Sequence, residues 1–109
     1  MSTLSTHVLD TSLGKPAQGI RVTLEKDGET IGSGVTDADG RVSDLRKEGS
    51  EVKQGTYSLK FFVADYFSTS GREAFFDEIV VTFLISGASR HYHVPLLLSP
   101  FGYSTYRGS

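Results

Sequence analysis

Between residues 90 and 107 the side chains alternate about a single turn signal, and this pattern restricts the fold more than any other. The side chains on one face of the first predicted strand are Tyr92, Val94, Leu96 and Leu98. Those on the opposite face are His91, His93, Pro95 and Leu97. The Ser-Pro-Phe-Gly sequence at 99–102 favours a type I turn. The pattern predicts a β-hairpin with strands near 90–98 and 103–107, whose apolar face fills a core.

The same period of two occurs elsewhere in the chain between turn signals. The further predicted strands cover residues 4–10, 20–25, 30–36, 42–45, 56–63 and 75–85. Asp27-Gly28 predicts a tight hairpin turn. A short helix is predicted with Asp65 as its cap, about Thr69 as its last residue and Gly71 at its C-terminal end. Seven or eight strands with one short helix predict an all-β sandwich that forms a single domain, residues 1–109.

Composition excludes several classes of protein. The 109 residues suffice for one hydrophobic core, and a net charge of −2 gives no electrostatic reason to bind nucleic acid or an anionic membrane. No apolar run approaches the roughly 18 residues of a membrane span, and no signal peptide is visible. The chain has 0 cysteines, which excludes disulfides and thiol chemistry. We therefore expect a cytoplasmic protein without nucleic-acid or membrane partners.

Two histidines are predicted to point away from the core on different strands. His7 alternates with Leu4 and Val8 on the first strand, as His93 alternates with the apolar residues of the hairpin. A histidine that points outward from a strand is usually just a surface residue. They become candidates for acid–base chemistry if the two outward faces meet, because imidazole titrates near neutral pH.

The turn at residues 36–41, Thr-Asp-Ala-Asp-Gly-Arg, has two acidic residues before a glycine. Its spacing does not fit an EF-hand calcium loop, which needs three alternating oxygen ligands before its glycine and a glutamate at position 12. We interpret it as a tight turn with Gly40 in a left-handed conformation. The turn places Arg41 directly after it, on the next short strand.

The chain ends in Tyr106-Arg107-Gly108-Ser109, directly after the predicted hairpin. Terminal residues of a domain are usually frayed, but an aromatic and cationic end would lie near the two histidines of the hairpin. Because Arg107 would point away from them in a continued strand, we expect Gly108 to let the chain bend.

This tail, together with residues 4–10, the 36–41 turn and residues 91–100, resembles the transthyretin-like 5-hydroxyisourate hydrolases nearly from end to end. The resemblance implies a transthyretin-like (prealbumin-like) sandwich assembled as a homotetramer, a dimer of dimers with active sites in the channel between dimers. It also implies hydrolysis of 5-hydroxyisourate, the product of urate oxidation in purine catabolism, without metal or cofactor.

By the same resemblance, the catalytic residues are His7, Arg41, His93 and Tyr106. The implied substrate-binding residues are Arg41, Tyr106, Arg107 and Ser109. Imidazole can take a proton from water, and guanidinium can hold substrate oxygens and stabilise an oxyanion. The sequence leaves open which histidine is the base. It also leaves open what His91 does on the same face.

Three alternatives remain at this point. A structural or binding β-sandwich module would have no use for His7, His93 or the tail. A thyroid-hormone carrier of the transthyretin type would lack the two catalytic histidines and the tail. A zinc enzyme could use His7, His91 and His93, although no Asp or Glu stands at ligand spacing on the hairpin strand.

Overall fold

A computed structural model of the protein describes residues 3–47, 50–87 and 90–108. The strands in these residues are β1 (Thr3–Asp10), β2 (Lys15–Pro16), β3 (Arg21–Lys26), β4 (Glu29–Val35), β5 (Arg41–Val42), β6 (Gly55–Phe61), β7 (Ile79–Ile85), β8 (His91–Ser99) and β9 (Gly102–Thr105). Helix α1 (Val63–Thr69) lies between β6 and β7. None of the helical structure in these ranges is long and apolar enough to cross a membrane.

The strands form two sheets. The first has the order β2-β1-β8-β9, with β5 paired to β1, and the second has the order β4-β3-β6-β7. β1 and β8 run parallel, so the first described strand lies beside a strand near the C-terminus. The predicted all-β sandwich with one short helix is confirmed. The two-residue strand β2, which was not predicted, raises the described number of strands to nine, above the seven or eight expected.

The predicted alternation along β8 is confirmed. Leu96 and Leu98 are completely buried, and Tyr92 and Val94 are nearly so. Burying a leucine side chain contributes about 1.5–3 kcal/mol, so this face alone favours the observed register strongly. Because successive side chains point to opposite faces, the same register turns His91 and His93 to the outer face.

The helix and its flanks differ from the prediction. The helix begins at Val63 after Phe62, and Asp65 lies inside its first turn without capping it. Strand β6 therefore ends at Phe61, two residues before the predicted end. The completely buried Val63 anchors the helix to the core instead. Gly71 does follow the helix with φ +70°, and its N–H bonds to Ser68, as predicted for the C-terminal end.

Three other predicted strands end or begin differently from expected, and the last of them, predicted near 103–107, ends at Thr105. The stretch 75–85 forms a strand only over β7, and Phe75 is 75% exposed in the loop before it. The strand was predicted to begin at Phe75 because the stretch is rich in β-branched and aromatic residues, but residues 75–78 pair with no other strand. The stretch 42–45 is paired only at Arg41–Val42, after which Leu45 enters the core from a loop.

Two glycines of β4 let the segment after Arg41 lie close to the second sheet. A Cβ on Gly32 would collide with the carbonyl of Leu45, and a Cβ on Gly34 would press on the side chain of Val42. The sequence Ile-Gly-Ser-Gly in β4 thus fixes where β5 lies. The position of β5 in turn determines the position of Arg41, its first residue.

A buried carboxylate fastens the end of β1 to the loop after the helix. Asp10 is completely buried and bonds to Arg72 at 2.6 Å, to the hydroxyl of Tyr66 at 2.7 Å and to the hydroxyl of Ser12 at 2.8 Å. Burial raises the pKa of Asp10. The bonds from Arg72, Tyr66, Ser12 and the backbone of Leu13 outweigh that effect and hold the pKa well below its usual range.

Candidate active site

The strand registers arrange the predicted site residues in rows across the outer face of the first sheet. Arg41 on β5 pairs with His7 on β1, and His7 pairs with Pro95 on β8. One row away, Ser5 on β1 pairs with His93 on β8. The two outward faces therefore meet, as the candidate acid–base site required.

A cleft of about 310 Å³ lies on this face. It is lined by Ser5, Thr6, Arg41, Val42, Ser43, His91 and His93. The segment Arg41, Val42 and Ser43, directly after the acidic turn, forms one side of the cleft. The cleft brings Arg41 and His93 together, and His7 lies beside it through its pairing with Arg41.

Within the described residues, one ring nitrogen of His93 is hydrogen-bonded and the other is not. Its Nδ1 lies 2.7 Å from the hydroxyl oxygen of Ser5. Within the described residues, its Nε2 makes no hydrogen bond. Burial lowers the pKa of His93, and the positive charges of Arg41, His91 and His7 lower it further, against a smaller opposing effect from Ser5. A lowered pKa favours the neutral ring, which can accept a proton.

His91 shares the outer face with His93 and is bonded at both nitrogens. Its Nε2 lies 2.8 Å from the hydroxyl oxygen of Ser5, and its Nδ1 lies 2.5 Å from that of Thr3. The rings of His91 and His93 are stacked with centroids 6.3 Å apart. Ser5 and Thr3 are not among the site residues predicted from the sequence. The available signal was that Ser5 alternates onto the same face as His7.

The acidic turn supports Arg41 through its backbone. The carboxylate of Asp37 accepts hydrogen bonds from the backbone N–H groups of Asp39 and Arg41, at 2.9 and 3.0 Å. The bond from the Arg41 backbone is the largest cause of the lowered pKa of Asp37, and the charges of Arg41 and His7 add to it. Gly40 has φ +76°, as predicted for the left-handed position. Its carbonyl accepts from the backbone of Val8, which ties the turn to β1.

The C-terminal segment stays beside β8 beyond the end of β9. The register that pairs Leu96 with Thr105 continues to a bridge between His93 and Gly108, so Tyr106 lies across from Pro95. Gly108 has no positive φ and keeps the register of β9 against β8, so the segment does not bend before residue 108 as predicted. The reason for glycine is close approach instead, because a Cβ there would collide with the ring of His93.

Arg107 lies on the other face of β8 from the histidine side chains. Its guanidinium carbon is 5.2 Å from the ring centroid of Tyr92, a cation–π contact with an inward-facing side chain. Tyr106 and Arg107 line a second cavity of about 240 Å³ between β7 and the C-terminal segment. The structure thus does not bring Arg107 to His7 and Arg41. Ser109 lies outside the described residues.

The zinc alternative requires three ligands at one point. In the described ranges, no three histidine, aspartate or glutamate side chains converge in a way that could hold a metal ion. His91 and His93 instead turn one nitrogen each to the same hydroxyl. The fold and the cleft define a β-sandwich protein with a polar cleft, lined by histidine and arginine side chains, on the outer face of one sheet.

Comparison with known proteins agrees with this class. The model of the HIUase/Transthyretin family matches residues 4–108. The chain is 47% identical over 114 residues to 5-hydroxyisourate hydrolase 2 of Rhizobium meliloti, covering 97% of this chain and 95% of that protein. It is 44% identical over 117 residues to the 5-hydroxyisourate hydrolase of Caulobacter vibrioides, covering 100% of both. The chain belongs to the HIUase/Transthyretin family.

The similar solved structures include a 5-hydroxyisourate hydrolase and a transthyretin. The 5-hydroxyisourate hydrolase of Klebsiella pneumoniae superposes with a TM-score of 0.89 at 42% identity, covering 100% of this chain and 94% of that one. Sea bream transthyretin in complex with thyroxine superposes with a TM-score of 0.87 at 32% identity, covering 97% and 94%. The two matches share the fold and differ more in sequence identity than in shape.

Proposed function

We propose that this chain hydrolyses 5-hydroxyisourate in urate degradation, with His93 as general base. The observation that carries the proposal is the environment of His93, which lines a cleft with Arg41, is held at Nδ1 by Ser5 and makes no hydrogen bond at Nε2 within the described residues. The full-length curated relatives carry the name 5-hydroxyisourate hydrolase, which indicates the substrate. The residues needed for the reaction all come from this chain's own side chains, so we propose no metal or cofactor.

The reaction opens a ring amide by attack of water. Nε2 of His93 takes a proton as the water oxygen bonds to the carbonyl carbon, and Arg41 stabilises the resulting oxyanion. The C–N bond then breaks as His7, in the role of general acid, gives a proton to the leaving nitrogen. His93 then loses its proton and His7 regains one before the next turnover. The new carboxylic acid ionises at neutral pH, so one proton is released in each turnover. General acid–base catalysis of this kind contributes on the order of 10²–10⁴-fold.

The C-terminal residues remain candidates for substrate contacts. Tyr106 lies across from Pro95, next to the row that contains His93, and its ring is more than half exposed. Arg107 reaches substrate only if it leaves the ring of Tyr92, a contact worth about 0.5–1 kcal/mol at an exposed site. We propose that Tyr106, Arg107 and Ser109 close the site when substrate binds.

We further propose a homotetramer in which two sheet faces enclose the site. The cleft is open in one copy, whereas ligand sites are usually concave and closed. Large apolar side chains are also exposed along the sheet edges and nearby loops, including Leu84 at 74%, Phe101 at 65% and Tyr103 at 43%. Light scattering on dilute active protein should give four times the chain mass of 11.9 kDa. A monomer mass at full activity would contradict this assembly.

The reaction is tested by following fresh 5-hydroxyisourate in water enriched in oxygen-18. Protein should accelerate the ultraviolet decay of the substrate, and mass spectrometry should find one heavy oxygen in the product's new carboxylate. A decay rate independent of protein concentration would refute the function. Faster decay without the label in the carboxylate would refute attack by water.

A hormone-carrier function has one observation in its favour, the likeness to transthyretin bound to thyroxine. Isothermal titration with thyroxine distinguishes it from hydrolysis. We expect no saturable heat at protein concentrations that hydrolyse the substrate, because Arg41, His7 and His93 make the site polar. Stoichiometric thyroxine binding without hydrolysis would favour the carrier.

A further inference from the structure

The side chain of Ser5 lies between the two imidazoles of β8 and contacts both. Its Oγ is 2.8 Å from Nε2 of His91 and 2.7 Å from Nδ1 of His93. Only 7% of Ser5 is exposed, so water has little room to replace either contact. The two rings are close to parallel, with 18° between their planes, and one nitrogen of each lies within hydrogen-bonding distance of the same hydroxyl.

A hydroxyl carries one hydrogen, so Ser5 can donate to only one of these nitrogens at a time. When it donates to His91, it accepts from Nδ1–H of His93, and Nε2 of a neutral His93 is bare. When it donates to Nδ1 of His93, the neutral ring carries its proton on Nε2. The first arrangement makes Nε2 of His93 a proton acceptor, and the second makes it a donor.

The state of His91 selects between these arrangements. A neutral His91 that donates its Nδ1–H to Thr3 has a bare Nε2, which accepts from Ser5. A protonated His91 carries hydrogen on both nitrogens, so its Nε2–H must donate to Ser5. Within the described residues the hydroxyl hydrogen of Ser5 then has Nδ1 of His93 as its remaining acceptor, and donation to it leaves a neutral His93 unable to act as a base through Nε2.

We propose that Ser5 is a positioning residue that transmits the protonation state of His91 to His93, so that His93 acts as a base only while His91 is neutral. This inference rests on the proposed hydrolase function, in which Nε2 of His93 takes the proton from water. It assigns His91 a role without placing it in contact with substrate.

Other charged groups near the two histidines act without a shared hydrogen bond. Arg41 on β5 and His7 on β1 face His93 and act on it through space. Arg90 and Arg107 lie on the other face of β8, over the inward-facing ring of Tyr92. Their guanidinium carbons are 5.8 Å and 5.2 Å from the centroid of that ring. Among the described contacts, only the hydroxyl of Ser5 therefore joins the two imidazoles through hydrogen bonds whose direction can reverse.

The direct test is the tautomer of His93, measured by two-bond nitrogen–proton correlations in ¹⁵N-labelled protein. At a pH where His91 is neutral, wild-type protein should carry the His93 proton on Nδ1. Ser5→Ala should lose this fixed tautomer and shift the proton towards Nε2. A wild-type His93 protonated on Nε2, or one tautomer in both proteins, would overturn the proposal.

Kinetics provide a second readout that a purely structural role would not produce. Ser5→Ala should lower kcat by about tenfold to a hundredfold, at the lower end of general-base effects, with KM nearly unchanged. Ser5→Thr, which keeps the hydroxyl on a strand-favouring residue, should retain most of the activity. The matched control is Ser58→Ala on the second sheet, which removes a hydroxyl bonded to Thr82 at 2.9 Å and should leave kcat unchanged.

The possible failures are distinguishable. Loss of activity in Ser5→Ala with an unchanged His93 tautomer would show that Ser5 is only structural and would leave the hydrolase function standing. Inactive wild-type protein would refute the function and leave the tautomer measurement intact. If Ser5→Ala does not fold, Thr3→Val removes the acceptor for Nδ1–H of His91 and should raise the fraction of His93 protonated on Nε2. An unchanged fraction would overturn the proposal.

Discussion

Gly108 donates its backbone N–H to the carbonyl oxygen of His93 at 2.8 Å, and its α-carbon faces the imidazole. The C-terminal segment is therefore held against the proposed base. A side chain at position 108 would need the space that the ring of His93 occupies.

Gly108→Ala should displace the ring of His93 and lower kcat/KM. Since misplacement of a reacting group by about 1 Å can cost on the order of 10²-fold, we expect a loss of that size. The control is Gly102→Ala in β9, where a Cβ would meet only the hydroxyl of Ser99 at an ordinary 3.7 Å. Equal activity of the two variants would mean that the contact at position 108 is unimportant.

Alanine substitutions should separate the three histidines. His7→Ala and His93→Ala should each lower kcat by at least about 10²-fold, because each removes an acid–base group. His91→Ala should cost much less, because His91 acts only through Ser5. Circular dichroism should show all three folded, since their side chains lie on the outer face. A larger loss for His91→Ala than for the other two would reverse these roles.

Activity should fall in acid as His93 becomes protonated. Burial and nearby positive charges lower the pKa of His93, so the neutral base persists to lower pH than for a free imidazole. In Ser5→Ala, which uncouples His93 from His91, the acid limb of the kcat/KM profile should therefore lie below the ordinary value of about 6.5. A limb above that value, or one that persists in His93→Ala, would assign the titration to another group.

How far the sequence predicts this fold depends on the kind of contact involved. The core face of β8 follows from alternation alone, and the left-handed Gly40 follows from its turn. The end of β6 was misplaced because Val63 continues the apolar pattern of the strand while its backbone is helical. An apolar residue fills the core equally well from either conformation.

The site was predictable only in part, because its decisive contacts join distant residues. Alternation turned His7 and His93 outward, but the bridge at Ser5 depends on the parallel register of β1 and β8, 88 positions apart at the Ser5–His93 contact. The position of Arg107 depends on the ring of Tyr92, which competes for its guanidinium. Local patterns contain neither relationship.

The ion pair between Asp10 and Arg72 should matter for stability rather than activity. Arg72→Ala leaves a completely buried carboxylate without its cation, which typically lowers the free energy of unfolding by about 3–5 kcal/mol. The control is Lys60→Ala, whose partly exposed pair with Glu25 spans 3.5 Å and should contribute about 1 kcal/mol or less. Equal losses in urea unfolding would contradict the special role of Asp10.

The same carboxylate predicts sensitivity to acid. The folded-state pKa of Asp10 is lowered below its unfolded value of about 3.9, so its contribution is fully present well above that pH. The contribution is lost as the pH falls below about 4. Wild-type protein should therefore lose more stability than Arg72→Ala between pH 6 and pH 3. Parallel losses in the two proteins would rule out Asp10 as the source.

The most direct test of the proposed hydrolysis is the decay of fresh 5-hydroxyisourate with wild-type protein and with His93→Ala, each in the presence of EDTA. We expect wild-type decay to remain fast under chelation and the variant to be slower by at least about 10²-fold. Wild-type activity that EDTA abolishes and zinc restores would contradict the metal-free mechanism. Undiminished activity of His93→Ala would contradict the assignment of the base.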